Sequence, residues 1–254
     1  HILVCGESGS GKTTFIKTLL YSMTRKHSPD QFQFYILDFS SHLLKIFRNL
    51  PHCGAVIEED TVEQSMELFK LLTTIIQERK KLFSELEVSN YSEAAKLKKL
   101  PFILVVFDNV AGFLQTKAGQ KQYDMLQYYL KNSVNYGVSY LFTISHVNEI
   151  NMRTRQEFKQ RIALQLRDRY EYTDILNVKC MYMPPELPGR GIYSYEGRPL
   201  EMQLAMFAPD LDQKERTRVL KCEVERLICK NQKFEKARQI VKIKEGQTYD
   251  EFMM

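Results

Sequence analysis

The sequence predicts an α/β fold in which a mostly parallel sheet is covered by helices. Three observations carry that expectation. Short apolar runs with strand character alternate with helix-period segments through most of the chain. A glycine-rich loop joins the first apolar run to the first helical one. A second apolar run, Phe102-Ile103-Leu104-Val105-Val106-Phe107, reads as a buried strand and ends on Asp108.

The first strand is Ile2-Leu3-Val4-Cys5. It runs into Gly6-Glu7-Ser8-Gly9-Ser10-Gly11-Lys12-Thr13, which satisfies G-x-x-x-x-G-K-[ST] at every fixed position, and Thr14 to Leu20 leads out as a helix. In that strand-loop-helix setting the glycines let backbone N–H groups turn inward on a phosphate. The helix N-terminus adds partial positive charge. The reading assigns Gly6, Glu7, Ser8, Gly9, Ser10, Gly11, Lys12, Thr13 and Thr14 to nucleotide binding. Lys12 would reach the outer phosphates of ATP, and the Thr13 hydroxyl would hold Mg²⁺. A glycine-rich turn before an ordinary helix is the competing reading, and it leaves the full pattern and its flanks without a reason. The loop speaks for binding a nucleoside triphosphate and is silent on hydrolysis.

The second strand runs from Phe32 to Leu37 and ends at Asp38. A long helix follows from about Thr61 to Phe83, with Val62, Met66, Phe69, Leu72 and Ile76 at helical spacing and Asp60-x-x-Glu63 as a capping-box-like start. Polar Ser84 to Lys99 is a helical or looped excursion. Pro101 to Phe107 is the third strand. A helix from about Gln120 to Tyr136 stops at Gly137, and Ser139 to Ile144 is the fourth strand. Arg161 to Leu166 alternates charged and apolar residues and reads as a fifth. Ile192 to Tyr195 and Leu200 to Phe207 form a closing hairpin around Glu196-Gly197. The ATPase-like unit is expected over residues 1–208. Residues 209–254 read as a charged helix, Leu211 to Lys236, and a polar linker, Ala237 to Met254, leading toward a following domain.

Composition fits this plan. The 254 residues suffice for one large α/β domain with an appendage, and 44% apolar with 26% charged residues is ordinary for a globular chain. No apolar run in the given residues approaches the length of a membrane span, and none of them is expected to be a signal peptide. Starting inside a strand, the chain reads as a piece of a longer polypeptide. The five cysteines are scattered, none in C-x-x-C, which points to idle thiols in a reducing compartment. His52 and His146 lack partners at metal-ligand spacing. The net charge of +5 does not call for nucleic acid. The basic run from Arg153 to Arg169 has no aromatic interleaving for base stacking and reads as a solvated face.

A phosphate-binding loop needs an acidic residue at a neighbouring strand tip to organise Mg²⁺, and Asp108 supplies it. In hydrolysing P-loop proteins with a strand inserted between the two motif strands, that Asp is commonly followed by a Glu that polarises the attacking water. Here the next residue is Asn109. An amide can hydrogen-bond a water but cannot take its proton, and losing a base costs about 10²–10⁴-fold in rate. A base supplied from elsewhere in the chain, or by a neighbouring subunit, remains the alternative.

With these motifs placed, Ile2 to Phe207 resembles an FtsK/SpoIIIE-type ATPase domain. The resemblance is carried by the P-loop, Phe34 to Phe39, Leu50-Pro51-His52, Arg79 to Phe83, Val105 to Asn109, Gly137 to Thr143, Arg161 to Leu164, and Leu187-Pro188-Gly189-Arg190-Gly191. Within that family it is most similar to a middle ATPase domain of the EssC/EccC motors of type VII secretion, and Gln247 to Phe252 looks like the linker into a following ATPase domain. The resemblance implies a RecA-like P-loop fold that binds ATP and Mg²⁺, on the cytoplasmic face of the cell membrane as part of a larger membrane-anchored protein. The partners it implies are adjacent ATPase domains of the parent chain, small helical-hairpin secretion substrates with C-terminal signals, and a homo-oligomer such as a hexamer of the parent. Active members usually carry a Gln-Arg pair at the end of the fourth strand to sense the γ-phosphate, where this chain has Ser145-His146. Arg190 is either an interface arginine reaching a neighbour or a solvated residue of a turn. Together these features lead to the expectation of an ATP-holding, regulatory and substrate-recruiting module with weak or absent hydrolysis. The alternative is a fully active motor domain that translocates protein or DNA in an oligomer.

Overall fold

The computed structural model describes residues 1–240. Eight strands form one sheet: β1 (Ile2–Cys5), β2 (Phe32–Asp38), β3 (Cys53–Ile57), β4 (Phe102–Asp108), β5 (Val138–Ile144), β6 (Gln160–Ala163), β7 (Arg190–Tyr195) and β8 (Arg198–Gln203). They lie in the order β3-β2-β4-β5-β1-β6-β7-β8. The strands from β3 through β6 pair in parallel, and the β7–β8 hairpin closes the edge antiparallel. This is the expected α/β architecture.

Two apolar layers result from strand alternation. Tyr35, Leu37, Val105, Phe107, Tyr140 and Phe142 face one side. There they meet Phe69 and Leu72 of α2 (Gln64–Glu85) and Leu126 and Leu130 of the helix over Lys117–Asn132. The intervening residues Phe34, Ile36, Leu104, Val106 and Leu141 face the other side, against Ile16 and Leu20 of α1 (Lys12–Lys26). Because both faces are covered, the strands are apolar throughout, as a parallel sheet requires.

The elements the sequence left out are short. β3 follows Pro51-His52 and contains Gly54, so its run is broken by a residue of low strand propensity. The glycine is there for space: a Cβ on it would lie 2.0 Å from the Tyr35 ring of β2. The Ser84 to Lys99 excursion contains α3 (Tyr91–Leu97), capped by Asn90, whose side chain accepts from Glu93 N at 3.1 Å. α4 (Val110–Gln115) leads directly into α5 (Lys117–Asn132), which starts three residues before the expected Gln120 because Thr116 caps it. α5 ends at Asn132, short of the expected Tyr136, and a 3-10 turn over Val134–Tyr136 carries the chain to Gly137, at φ 73. α6 (Met152–Gln156) and α7 (Arg169–Leu176) frame β6, which ends at Ala163 rather than Leu166. The reciprocal cap near the start of α2 falls on Glu58 and Thr61, not Asp60 and Glu63, since a 3-10 turn precedes the helix.

α8 (Gln213–Asn231) begins at an Asp212 cap and packs Leu220, Val224 and Leu227 into the layer that holds Ile16 and Leu20. The chain then returns to β3, where Ala237 N donates to Pro51 O at 2.8 Å and Gln239 Nε2 to Cys53 O at 2.9 Å. Most of the expected polar linker, including Gln247 to Phe252, lies outside the described residues.

Candidate nucleotide site

β1, β4 and β5 end at the same edge of the sheet, and their carboxyl tips form the floor of the site. Such strand tips in open α/β sheets are where ligands bind. The loop after β1 turns through Gly9 at φ 82 and Gly11 at φ 108, conformations that suit glycine. It delivers the N–H groups of Lys12, Thr13 and Thr14 into the first turn of α1, where the helix itself supplies no acceptors.

Lys12 Nζ donates to Gly6 O, to Glu7 O at 3.0 Å and to Ser145 Oγ at 3.4 Å. Burial lowers the Lys12 ammonium from its ordinary value, opposed first by Asp108. Thr13 Oγ1 donates to Asp108 Oδ2 at 2.7 Å, and Thr143 Oγ1 to Oδ1 at 2.8 Å. Burial pushes the Asp108 carboxyl up, and these two hydroxyls pull it back. The structure thus brings Thr13 and Asp108, 95 residues apart in sequence, into direct contact.

This donor set fits Mg²⁺ held together with substrate phosphates: one carboxylate, one hydroxyl, and remaining positions for phosphate and water oxygens. It does not form a protein-only metal cage, and among the described residues no group of three His, Cys, Asp or Glu could hold an ion. His52 is buried with its Nε2 on His27 O at 2.8 Å.

Asn109 is engaged within the fold. It sits at φ 66 and caps α4, its Oδ1 accepting from Gly112 N at 3.3 Å, while its Nδ2 donates to Phe39 O at 2.9 Å. Both ends of the amide are engaged by backbone. Ser145 stands at the tip of β5 beside Lys12, whereas His146 turns toward Glu171, its Nδ1 3.9 Å from Oε1. Arg190 pairs with Glu201 across the hairpin at 3.2 Å, so its first partner lies within the chain. The neighbouring Gly189 N donates to Ser10 O at 2.8 Å, which docks the hairpin onto the phosphate loop.

The sequence reading missed several residues around the loop. Lys17 lies one turn beyond the motif on α1; burial lowers its ammonium, opposed by the charges of Asp38 and Asp108. Arg167, read as part of a solvated basic run, reaches Glu7 at 3.4 Å. A cavity of about 500 Å³ opens beside the loop, between Thr14 and Lys17 of α1, Gly189, Leu204, Phe207 and Leu220 of α8. Lys17 keeps helical register with the motif and could have been anticipated. The cavity could not, because its walls are separated by almost the whole chain.

Residues 1–179 match the FtsK/SpoIIIE family. The ESX secretion system protein EccC of Geobacillus thermodenitrificans is 28% identical over 230 residues, covering 89% of this chain. The chain spans 12% to 15% of the length of the curated relatives it matches. The solved structure of EssC ATPases 2 and 3 from Geobacillus thermodenitrificans superposes with a TM-score of 0.86 at 26% identity, covering all of this chain and 48% of that one. Thermomonospora curvata EccC (ATPases 2 and 3), solved in complex with a signal sequence peptide, has the same fold, with a TM-score of 0.80 at 21% identity over 96% of this chain and 44% of that one. The eight-stranded, mostly parallel sheet is thus of the RecA-like P-loop ATPase kind. The chain belongs to the FtsK/SpoIIIE family and is homologous to the ATPase domains of the EssC and EccC proteins of type VII secretion.

Proposed function

We propose that this chain is an ATP-binding unit of a type VII protein-secretion motor, one that grips ATP and Mg²⁺ firmly and turns them over weakly or not at all. Gly6 to Thr14 would cradle the phosphates through backbone N–H groups, with Lys12 leaving the Gly6 and Glu7 carbonyls for the outer phosphate oxygens. Thr13 and Asp108 would hold Mg²⁺, which supplies charge neutralisation between the phosphates. The cavity between α1 and α8 would receive the nucleoside, with Phe207 as an apolar wall.

One observation carries the low-turnover half of the reading. The amide of Asn109 is held in the fold, accepting from Gly112 N and donating to Phe39 O, and an amide has no basic oxygen to take a proton from water. A unit of this kind acts by being occupied. Bound nucleotide stabilises the folded form by mass action and biases its packing on neighbouring ATPase domains of the parent protein. Recruitment of secretion substrates with C-terminal signals belongs to the same reading, supported by the signal peptide bound to the homologous EccC fragment. So does attachment to the membrane through the parent, as the family resemblance implies; no described helix is itself long and apolar enough to cross one.

The deciding experiment pairs equilibrium ATP binding with steady-state hydrolysis on this chain. Tight Mg²⁺-dependent binding with turnover far below one per second is expected. Turnover of several per second, abolished by Lys12→Ala, would instead establish an active motor domain.

A further inference from the structure

Asn109 leaves the site without the expected carboxylate, yet carboxylates surround the loop on other elements. Most are already engaged. Asp108 accepts from two hydroxyls. Asp38 accepts from the N–H groups of Ser40 and Leu44, both at 3.2 Å. Glu7 pairs with Arg167. Glu171 faces His146 and accepts from Arg167 N at 3.2 Å.

Glu149 differs. It lies in the turn that follows β5, and β5 runs between β4 and β1, so its tip separates the Asp108 strand from the phosphate loop. Ser145 heads that tip with its Oγ 3.4 Å from Lys12 Nζ. The Glu149 side chain folds back on Ser145, and its Oε2 accepts from Ser145 N at 2.9 Å. Its other oxygen takes no hydrogen bond among the described residues. Its charge is among those felt by the Lys12 ammonium. The group is half-buried, so part of it is open to solvent.

We propose that Glu149 is the carboxylate that serves the attacking water in place of the glutamate absent at Asn109, and that it sets the residual hydrolysis of this chain. The proposal rests on the ATP-binding reading above. In the step, the water oxygen bonds to the γ-phosphorus while the bond from that phosphorus to the bridging oxygen breaks. The bridging electron pair stays on the ADP oxygen, and the water proton passes to the carboxylate of Glu149. ADP and inorganic phosphate leave, and the proton is returned to solvent. Glu149 acts across the tip of β5 rather than from β4, a poorer position for in-line attack, and so the turnover it supports is slow.

The test uses this chain with ATP, ADP and Mg²⁺ and compares wild type, Glu149→Gln and Glu149→Asp. Gln keeps the oxygen that accepts from Ser145 N, so the turn and the melting temperature should hold. Loss of the base is expected to lower single-turnover hydrolysis about 100-fold or more. Removing a negative charge near the outer phosphate is expected to raise the preference for ATP over ADP about threefold to tenfold in equilibrium titration. Glu149→Asp keeps the charge and shortens the reach, so its hydrolysis should fall while the ATP-to-ADP preference stays. Unchanged hydrolysis and unchanged preference in Glu149→Gln would overturn the proposal and leave Glu149 as a cap on Ser145. Wild type that binds ATP and shows no single-turnover hydrolysis would overturn it too, with the ATP-binding reading intact. Wild type that binds no ATP would remove both.

Discussion

At the loop after β1 the polar groups are held in readiness. The glycines at positions 9 and 11 keep the backbone open, Lys12 rests on carbonyls it can leave, and Thr13 touches Asp108 through one hydrogen bond. At the tip of β4, next to Asp108, Asn109 serves the fold: its backbone lies at positive φ and its amide caps α4 and holds Phe39. The two regions face one another, but one is arranged to receive a ligand and the other to hold the fold. On the proposed reading, such a site would keep its grip on ATP while the tip of β4 serves the fold.

The largest expected effect tests the receiving side. Lys12→Ala removes charge-assisted hydrogen bonds worth about 1.5–3 kcal/mol, so ATP affinity should fall about 10- to 100-fold. A titration with a fluorescent ATP analogue measures it, and ATP should no longer raise the melting temperature. Undiminished binding would break the contrast at its first term.

Asn109→Glu tests the other side. Glutamate at φ 66 costs about 1 kcal/mol or more. Loss of the α4 cap costs about 1 kcal/mol further. Chemical denaturation should show a loss of about 2 kcal/mol with hydrolysis still slow. A variant that keeps its stability and gains about 100-fold in hydrolysis would show that Asn109 alone holds turnover down.

Phe207→Ala extends the comparison to the cavity. Phe207 packs edge-on against Tyr21 at a centroid distance of 4.7 Å, so its ring is set in place before any ligand arrives. ATP should bind about threefold to tenfold more weakly, and inorganic triphosphate should bind equally to both proteins. Equal losses for both ligands would move the nucleoside away from this wall.

The smallest effect concerns the 3-10 turn Leu43–Phe47, whose Leu43 borders the same cavity. Glu58 is buried, and it binds His42 at 2.8 Å, Lys45 at 3.0 Å and Arg48 at 3.1 Å. Burial pushes its carboxyl up, but Lys45, His42 and Arg48 outweigh that and hold it below the usual range. A lowered carboxyl adds stability above its unfolded value and loses it as pH falls through the folded one. Glu58→Gln should thus cost about 1 kcal/mol at neutral pH, since the partners are half-exposed. The gap to wild type should close below about pH 4. A gap that persists in acid would assign the cost to packing.

The legible parts of this molecule were those with a local signature. The loop motif, the apolar runs of β2, β4 and β5 and the turn at Gly137 all emerge from residues adjacent in sequence. β3 did not, because Gly54 and the preceding proline interrupt its pattern, and it forms by pairing with β2. α4 did not, because its six residues are too few to show a period and its start is fixed by the Asn109 cap. The chemical meaning of Asn109 was half legible. That it is not a carboxylate was plain, but that it is occupied by Phe39 O and Gly112 N was not.

The sequence alone determined the α/β plan and the chemistry of the loop, because glycine conformations, strand alternation and helix dipoles act within a few residues. Which groups meet at the strand tips was decided only in three dimensions. Thr13 and Asp108, Lys12 and Ser145, and Glu149 lie at or just after the ends of three strands, brought to one edge by parallel crossovers. The cavity wall of α8 arrives from the far end of the described chain, driven by burial of Leu220, Val224 and Leu227 against α1. Such meetings follow from packing both faces of one sheet, and no spacing in the sequence encodes them.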